Sequence, residues 1–425
     1  MSPTDASRSL VETCTLAEMC CSRMLTIAAL ALAAGCAHLP ACPGRGGPRW
    51  NEWSSPHFRM LTDIQDEGDA ERLATQLEYF RAAIVAAAWR DVPEAREPIE
   101  VAVLASANEA DVFLPPHWEG LFFSYLGTGI VVAPATTQVE RENVLKHEIV
   151  HALMRQLDLD RNAPLWFREG MAMYLAMTSY EESSVEVTFG APDTQALRLV
   201  EYRGLYAWSD LWTTPTDSIE HARLEATSWL FVHYLFNHER ERFERFQAAL
   251  ARTSDAKSLW TQIFPDLATP DAFARTLGRY LQGGGYVMYK ARIPRPHFSF
   301  GTRPISDGEV HALRALLSAT AQEHDDDAPA LMRYELAQSL RQEPLNLHAR
   351  MLERLLLGEN VADMDTARAL TSKYPEAWQA WLVLAVAHAS RRESRELGEA
   401  LEHARSLGFR GDSPAPTLPN VAAPY

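Results

Sequence analysis

Cysteine is nearly absent from this chain of 425 residues, and all five copies lie in its first tenth. They are Cys14, Cys20, Cys21, Cys36 and Cys42. The rest of the chain therefore contains neither an internal disulfide framework nor a thiolate metal site. A metal ion bound in that part would need histidine and carboxylate ligands.

The chain also lacks a surplus of basic residues. Its 40 Lys and Arg residues are outnumbered by 56 Asp and Glu residues, so the formal net charge is -16. Because nucleic-acid-binding surfaces are normally basic, this balance argues against a nucleic-acid partner. Hydrophobic residues make up 47% and charged residues 23%, a composition typical of globular proteins. The length of 425 residues favours two or three folded units.

The apolar run over residues 24–34 is too short to span a membrane, which takes roughly 20 residues. Its length and the preceding Arg23 are typical of a secretory signal. The run ends in LAAGC, which resembles the lipobox of bacterial lipoproteins. The resemblance implies removal of residues 1–35, lipidation of Cys36 and anchoring in a membrane. The residue after Cys36 is Ala37 and not Asp. In this respect the segment resembles lipoproteins that are sorted to the periplasmic face of the outer membrane. Cleavage without lipid and an unprocessed disordered tail are the alternatives.

Prolines and glycines dominate residues 36–48, which predicts a flexible tether rather than a folded element. After the tether, apolar and β-branched residues predict strands at His57–Thr62 and Ile99–Leu104. A hairpin or bent edge strand is predicted over Leu121–Val132, which contains two glycines. These strands precede long helical segments, which predicts an α+β fold.

Helical spacing of apolar residues predicts four strong helices. They are 70–90, 138–157, 164–177 and 223–238. A glycine triplet at 283–285 and the prolines that follow it predict a domain boundary near residue 300. The predicted units are therefore a domain of strands and helices over 49–300 and an all-α region over 301–425.

The predicted all-α region contains residues that resemble parts of a tetratricopeptide (TPR) unit. They are Trp381, Leu384, Ala385, Leu401 and Ala404, with an earlier and weaker match at Leu336, Ala337, Leu340 and Ala349. The spacing between the two matches is longer than the family period of about 34 residues. TPR-like helical hairpins are predicted here, and they imply a protein partner. A plain helical bundle is the alternative.

One short motif carries the clearest chemical signal. His147 and His151 are four positions apart, which advances a helix by about 400° and about 6 Å. Both imidazoles therefore lie on one helix face and can reach the same metal ion. Glu148 follows the first histidine beside that face, where it can take a proton from a zinc-bound water.

A third ligand lies at a suitable distance along the chain. Glu169 is early in the next predicted helix, and the short loop 158–163 lets the two helices pack together. Two histidines and a glutamate form the three-ligand, open arrangement of a catalytic zinc site, whereas a structural site needs a fourth protein ligand. The predicted cofactor is Zn²⁺. An accidental motif in a purely structural helical protein is the alternative.

The HEIVH motif and the later segment PLWFREGMAMYL resemble the gluzincin metallopeptidases, and most closely their peptidase MA-like domain. Residues 53–63 and 228–235 resemble the opening strand and a later helix of that domain, so the resemblance covers about residues 50–290. In this family such domains are often followed by TPR-type helices. Carried over by position, the zinc ligands are His147, His151 and Glu169, and the general base is Glu148.

The resemblance implies that residues 49–300 form a gluzincin-like domain with a small mixed sheet and a helical subdomain that carries the active site. It also implies a zinc-dependent peptidase whose substrates are peptides or proteins. No acid in residues 125–131 matches the segment that holds the substrate amine in the aminopeptidase branch, which favours an endopeptidase. The family commonly has an oxyanion-stabilising tyrosine where this chain has Glu225. A carboxylate repels a developing oxyanion, although His221 and Tyr234 are nearby replacements. The alternative function is therefore an inactive, zinc-binding lipoprotein that acts as a TPR-type scaffold in the cell envelope.

Overall fold

The computed structural model describes residues 39–89, 97–114, 120–125, 128–134, 139–215, 217–250, 252–253, 255–321, 327–357 and 363–409. The predicted signal over 1–35 and the predicted lipidation site Cys36 lie outside the described residues. Mixed helix and strand content confirms the α+β class. Among the described helices, none is both long and apolar enough to cross a membrane.

The described strands form a larger and a smaller sheet. They are β1 (Asn51–Ser54), β2 (Phe58–Thr62), β3 (Ile99–Leu104), β4 (Leu121–Tyr125), β5 (Thr128–Pro134), β6 (Ser179–Glu181), β7 (Glu186–Phe189), β8 (Tyr289–Arg292) and β9 (Gly301–Pro304). The larger sheet has the order β4-β5-β3-β2-β1-β9, and the smaller has the order β6-β7-β8. Only the β2–β3 and β3–β5 pairs are parallel. The predicted strands at 57–62 and 99–104 and the predicted hairpin at 121–132 are confirmed.

Helices form the rest of the described chain. They are α1 (Glu67–Ala88), α2 (Ala107–Phe113), α3 (Val139–Gln156), α4 (Leu165–Ala176), α5 (Thr194–Arg203), α6 (Ser218–His238), α7 (Arg240–Leu250), α8 (Ala256–Ile263), α9 (Pro270–Gly283), α10 (Asp307–Ala321), α11 (Ala328–Gln342), α12 (Leu347–Leu357), α13 (Met364–Lys373), α14 (Trp378–Ser390) and α15 (Ser394–Ser406). The four strong predicted helices correspond to α1, α3, α4 and α6, with ends that differ by a few residues.

The larger sheet separates two apolar cores, and the alternation of side chains along β3 shows how. Val101 and Val103 point into the core formed with α1, α3, α4 and α6. Ala102 and Leu104 point into the opposite core, which includes α2, α10 and parts of α11 and α12. Because successive side chains of a strand face opposite sides, an almost entirely apolar strand is suited to this central position.

The structure differs from the predicted boundary at residue 300. Strand β9 pairs antiparallel with β1, with Thr302 opposite Trp53, so residues beyond 300 complete the larger sheet. Helix α10 is buried along nearly its whole length from Gly308 to Ala321, and it packs into the core behind that sheet. The first part of the predicted C-terminal region is therefore integral to the sheet-containing fold.

The described part of the predicted tether over 36–48 is residues 39–48, and it contacts the body of the protein. Pro43–Arg45 forms a 3₁₀ turn, in which the backbone N–H of Arg45 donates to the carbonyl of Cys42. The Cys42 side chain is buried in the same core as α10. Glycine and proline content predicts a flexible tether here, and the described part of that segment makes contacts with distant residues.

The helices after α12 form a third apolar core, and they remain the candidates for TPR-like hairpins. Helices α14 and α15 pack against each other, and Ala385 and Ala404 are buried. The indole N–H of Trp378 donates to Glu97, whose carbonyl accepts a hydrogen bond from Gln156 at the end of α3. The C-terminal helices therefore contact the sheet-containing part of the chain. The assignment to the TPR type stays a prediction.

Candidate metal centre

The three predicted ligands converge at the junction of α3 and α4. His147 and His151 lie on α3, and Glu169 lies in the first turns of α4. The turn between the helices reverses the chain at Asp158, which has a φ of 60°. The Nε2 atoms of the histidines are 3.0 Å apart, and each is 3.4 Å from Glu169 Oε2. Among the described residues, this group is the one whose ligand atoms all lie within reach of a single ion.

The spacing of these atoms fits a tetrahedral zinc site. Ligand atoms about 2.1 Å from zinc at tetrahedral angles are about 3.4 Å from one another. The observed separations of 3.0, 3.4 and 3.4 Å are close to that value. With three protein ligands, a fourth coordination position is left for water or substrate, as in catalytic rather than structural zinc sites.

The centre has a negative electrostatic potential and is largely shielded from solvent. The side chains of His147, His151 and Glu169 are 17%, 15% and 12% exposed. Burial alone lowers the pKa of His147, but its hydrogen bond to Glu169 and the nearby carboxylates raise that pKa to about 9. Burial raises the pKa of Glu169, yet the two histidines hold it well below its usual range. A cation at this point is therefore favoured, and a divalent ion would supply that charge.

Glu148, the predicted general base, lies on α3 directly after His147. Its charge raises the pKa of that imidazole. Gly120 immediately precedes β4, and a Cβ at that position would lie 3.3 Å from Glu148 Cγ and 2.8 Å from Val144 Cγ1. A glycine at residue 120 thus permits this close approach of the strand to the helix.

A second glycine brings α6 close to Glu169. A Cβ on Gly170 would lie 2.6 Å from the carbonyl oxygen of Ser228 and 2.7 Å from Val232 Cγ2, so α4 and α6 are packed with no room for a side chain between them. Sequence reasoning did not single out Gly120 or Gly170 as functional. For Gly170, the sequence signal was the tripeptide REG, in which Gly170 directly follows Glu169.

A His–Glu pair lies on α6, the helix that packs closely against α4. His221 Nε2 lies 3.1 Å from Glu225 Oε1, one helical turn away. The charge of Glu169 contributes to the pKa of His221, and the charge of Glu225 contributes to the pKa of His147. Burial lowers the pKa of His221, but the hydrogen bond and charge of Glu225 outweigh burial and raise it above its usual value.

The structure separates the two predicted replacements for the missing tyrosine. Tyr234 lies near the end of α6, where it packs against His238 and Tyr280. His221 lies near the beginning of α6. Glu225 therefore does not stand alone beside the centre as the sequence implied, because its carboxylate is paired with His221.

The strand β4 is the edge of the larger sheet among the described residues. It pairs on one side with β5, with Phe122 opposite Val131, and the residue before it contacts Glu148 and Val144 of α3. Its unpaired side can accept an extended peptide by strand addition.

No protein-family model and no curated protein matches the chain.

Proposed function

We propose that this protein is a zinc-dependent peptidase of the gluzincin, peptidase MA-like type, acting as an endopeptidase. The observation that carries the proposal is the convergence of His147, His151 and Glu169 at tetrahedral spacing, with Glu148 beside them. Zn²⁺ bound by these three side chains would lower the pKa of a water molecule and polarise a substrate carbonyl. The extended substrate would pair with β4, the strand next to Glu148.

Glu148 has the role of general base in this proposal. Its carboxylate accepts the proton of the attacking water and later transfers it to the leaving amine. The partial burial of the centre strengthens these electrostatic interactions, because less water screens them. Gly120 keeps β4 close enough to align a substrate backbone with the carboxylate.

His221 is the proposed donor to the developing oxyanion, in the role that a tyrosine has in the family. Its hydrogen bond to Glu225 orients the imidazole and favours its protonated form. A preoriented donor of this kind contributes about 3–4 kcal/mol to transition-state stabilisation. Under this reading, Glu225 positions the donor and does not itself face the oxyanion.

The proposal includes export and membrane anchoring through a lipid on Cys36, which would place the active site in the cell envelope. The proposed partners are peptide or protein substrates and a protein that binds the TPR-like helices. The second candidate function is an inactive zinc-binding scaffold. It is favoured by Glu225 at the position of the family's tyrosine, and weakened by the pairing of that carboxylate with His221.

Zinc content and cleavage together distinguish the two functions. The full chain is the correct sample, since a fragment that ends at residue 300 would lose β9 and α10. We expect stoichiometric zinc by elemental analysis and cleavage of casein or a peptide library. Glu148→Gln should keep zinc and lose cleavage, His147→Ala should lose zinc, and the distant Glu396→Gln should behave as wild type.

Full cleavage by Glu148→Gln would contradict the proposed mechanism. Unchanged zinc in His147→Ala would contradict the ligand assignment. Zinc binding without cleavage of any peptide by the wild type would support the scaffold instead.

A further inference from the structure

A second buried polar cluster lies behind the larger sheet, away from the metal centre. We call Cys42, Glu109, His311, Arg314 and Glu335 the thiol cluster. All five side chains are buried, with relative exposures between 0% and 4%. They come from three distant parts of the chain: the segment 39–48, helix α2, and the helices α10 and α11. Nothing in the proposed peptidase mechanism uses them.

The contacts in the thiol cluster converge on the sulfur. Cys42 Sγ lies 3.4 Å from His311 Nε2, and Arg314 Nη1 donates to it at the same distance. His311 Nδ1 pairs with Glu335 on its other side. Arg314 Nε donates to Glu109 Oε1 at 2.8 Å. The sulfur therefore links the N-terminal segment to two charged pairs inside the core.

Two further observations characterise the thiol cluster. Glu109 Oε2 is buried, yet it has no hydrogen-bond partner among the described residues, which is a costly arrangement for a core carboxylate. The ligand atoms of Cys42, His311 and Glu335 do not fall within reach of one ion, a condition that the described residues meet at His147, His151 and Glu169. The reactive group of the cluster is the thiol.

The segment around Cys42 fits its site without spare room. The backbone N–H groups of Arg45 and Gly47 both donate to the carbonyl of Cys42, and a Cβ on Gly47 would lie 1.6 Å from the carbonyl oxygen of Ala41. Gly44 is equally constrained, since its N–H donates to Asp307 Oδ1 and a Cβ there would lie 2.6 Å from Asp307 Oδ2. Because Cys42 is only 3% exposed, a group attached to its sulfur would displace the docked segment.

We propose that Cys42 is a thiol modification site, and that its reaction with a disulfide and the docking of residues 39–48 exclude each other. In the reaction, the Cys42 sulfur gives up its proton and attacks one sulfur of a disulfide R–S–S–R. A new S–S bond forms to Cys42, the original S–S bond breaks, and R–S⁻ leaves with the electron pair and takes up a proton. Reduction by a thiol reverses these steps and restores the docked segment.

The proposed lipid on Cys36 would give this exchange a mechanical consequence. With the segment docked, residues 37–42 can span at most about 20 Å between the lipid and the body. With the segment released, residues 37–50 can span about 50 Å. Modification of Cys42 would then more than double the reach of the body from the membrane. This consequence rests on the proposed lipidation, whereas the exclusion itself does not.

The test uses a full chain in which Cys14, Cys20, Cys21 and Cys36 are replaced by Ser, so that Cys42 is the single thiol. The probe is the aromatic disulfide 5,5′-dithiobis(2-nitrobenzoate). We expect labelling of the folded chain to be about 100-fold or more slower than labelling of the same chain in denaturant, because reaction requires local opening. After labelling, amide hydrogen exchange of residues 39–50 should accelerate while that of α3 stays unchanged.

Two variants control the experiment. In the first, Cys42→Ser is combined with Ser394→Cys on the exposed start of α15, and its thiol should react at the rate of a free thiol without affecting residues 39–50. In the second, Cys42→Met should accelerate exchange in residues 39–50 without any reagent. Labelling of Cys42 as fast as the exposed thiol would overturn the proposal. Unchanged exchange of residues 39–50 after labelling, or accelerated exchange of α3 as well, would also overturn it.

Discussion

One added methyl group at residue 170 tests whether close helix packing positions the metal centre. In Gly170→Ala, the new Cβ would lie 2.6 Å from Ser228 O, whereas ordinary contacts begin at 3.4 Å. The neighbour is backbone and cannot rotate away, so α4 and α6 must separate by about 0.8 Å. The preceding residue is the ligand Glu169, and its carboxylate moves with α4.

The expected loss of stability follows from two opposing terms. Overpacking in a closely packed core costs about 1–3 kcal/mol. Replacing glycine by alanine inside a helix returns roughly 0.5–1 kcal/mol. A net decrease of about 1–2 kcal/mol in the free energy of unfolding is expected for Gly170→Ala. Displacing a residue that supports a ligand also weakens zinc binding by about 10–100-fold.

Urea unfolding of the zinc-free chain measures the first effect, and zinc titration against a competing chelator measures the second. Gly278→Ala is the matched control, because it lies in helix α9 with nothing within 4 Å of the added Cβ. The control should gain roughly 0.5–1 kcal/mol and keep its zinc affinity. If Gly170→Ala were as stable as its control and bound zinc like wild type, the inferred packing of α4 against α6 would be wrong.

Two further predictions concern a donor beside the centre and a carboxylate far from it. His221→Gln should reduce kcat by about 10²–10³-fold at unchanged zinc content, while the control Tyr234→Phe should keep the wild-type kcat. If steady-state assays gave His221→Gln the same kcat as the wild type, His221 would have no role in the mechanism. Buried Glu78 accepts hydrogen bonds from Ser55 Oγ and from the backbone and ring of His57, which lower its pKa although burial opposes them. The ionised Glu78 carboxylate stabilises the folded state fully above its ordinary pKa of 4.5, and this stabilisation is lost as the pH falls through the lowered pKa. In urea unfolding, the free energy of unfolding of Glu78→Gln should therefore depend less on pH in that range than that of the wild type.

The convergence of the three proposed ligands could be predicted from the sequence because its geometry is local. His147 and His151 share a helix face by spacing alone, and a single short turn brings Glu169 to them. The strands at 58–62 and 99–104 were equally readable, since their apolar content reflects burial on both sides. Patterns that extend over a few to about twenty residues carry most of the structural information that can be read from a single sequence.

Contacts between distant residues could not be read in the same way. Strand β9 is short and exposed at every position, so no apolar alternation marked it as the neighbour of β1. The segment 39–48 has the composition of a linker, and its docking depends on Cys42 meeting His311 and Arg314 on a helix far along the chain. Neither feature leaves a local pattern, because each is stabilised by its partner.

The two glycines beside the metal centre explain why the motif alone does not define a working site. Gly120 lets β4 approach Glu148, and Gly170 lets α6 approach the ligand helix with its His221–Glu225 pair. Missing side chains on two sides therefore affect the distances between the proposed base, the proposed metal ligands and the proposed oxyanion donor. A chain that kept HEIVH and Glu169 but carried alanine at both glycines would retain every predicted ligand. It would nevertheless lose the spacing that catalysis needs, since displacements of about 1 Å cost about 10²-fold in rate.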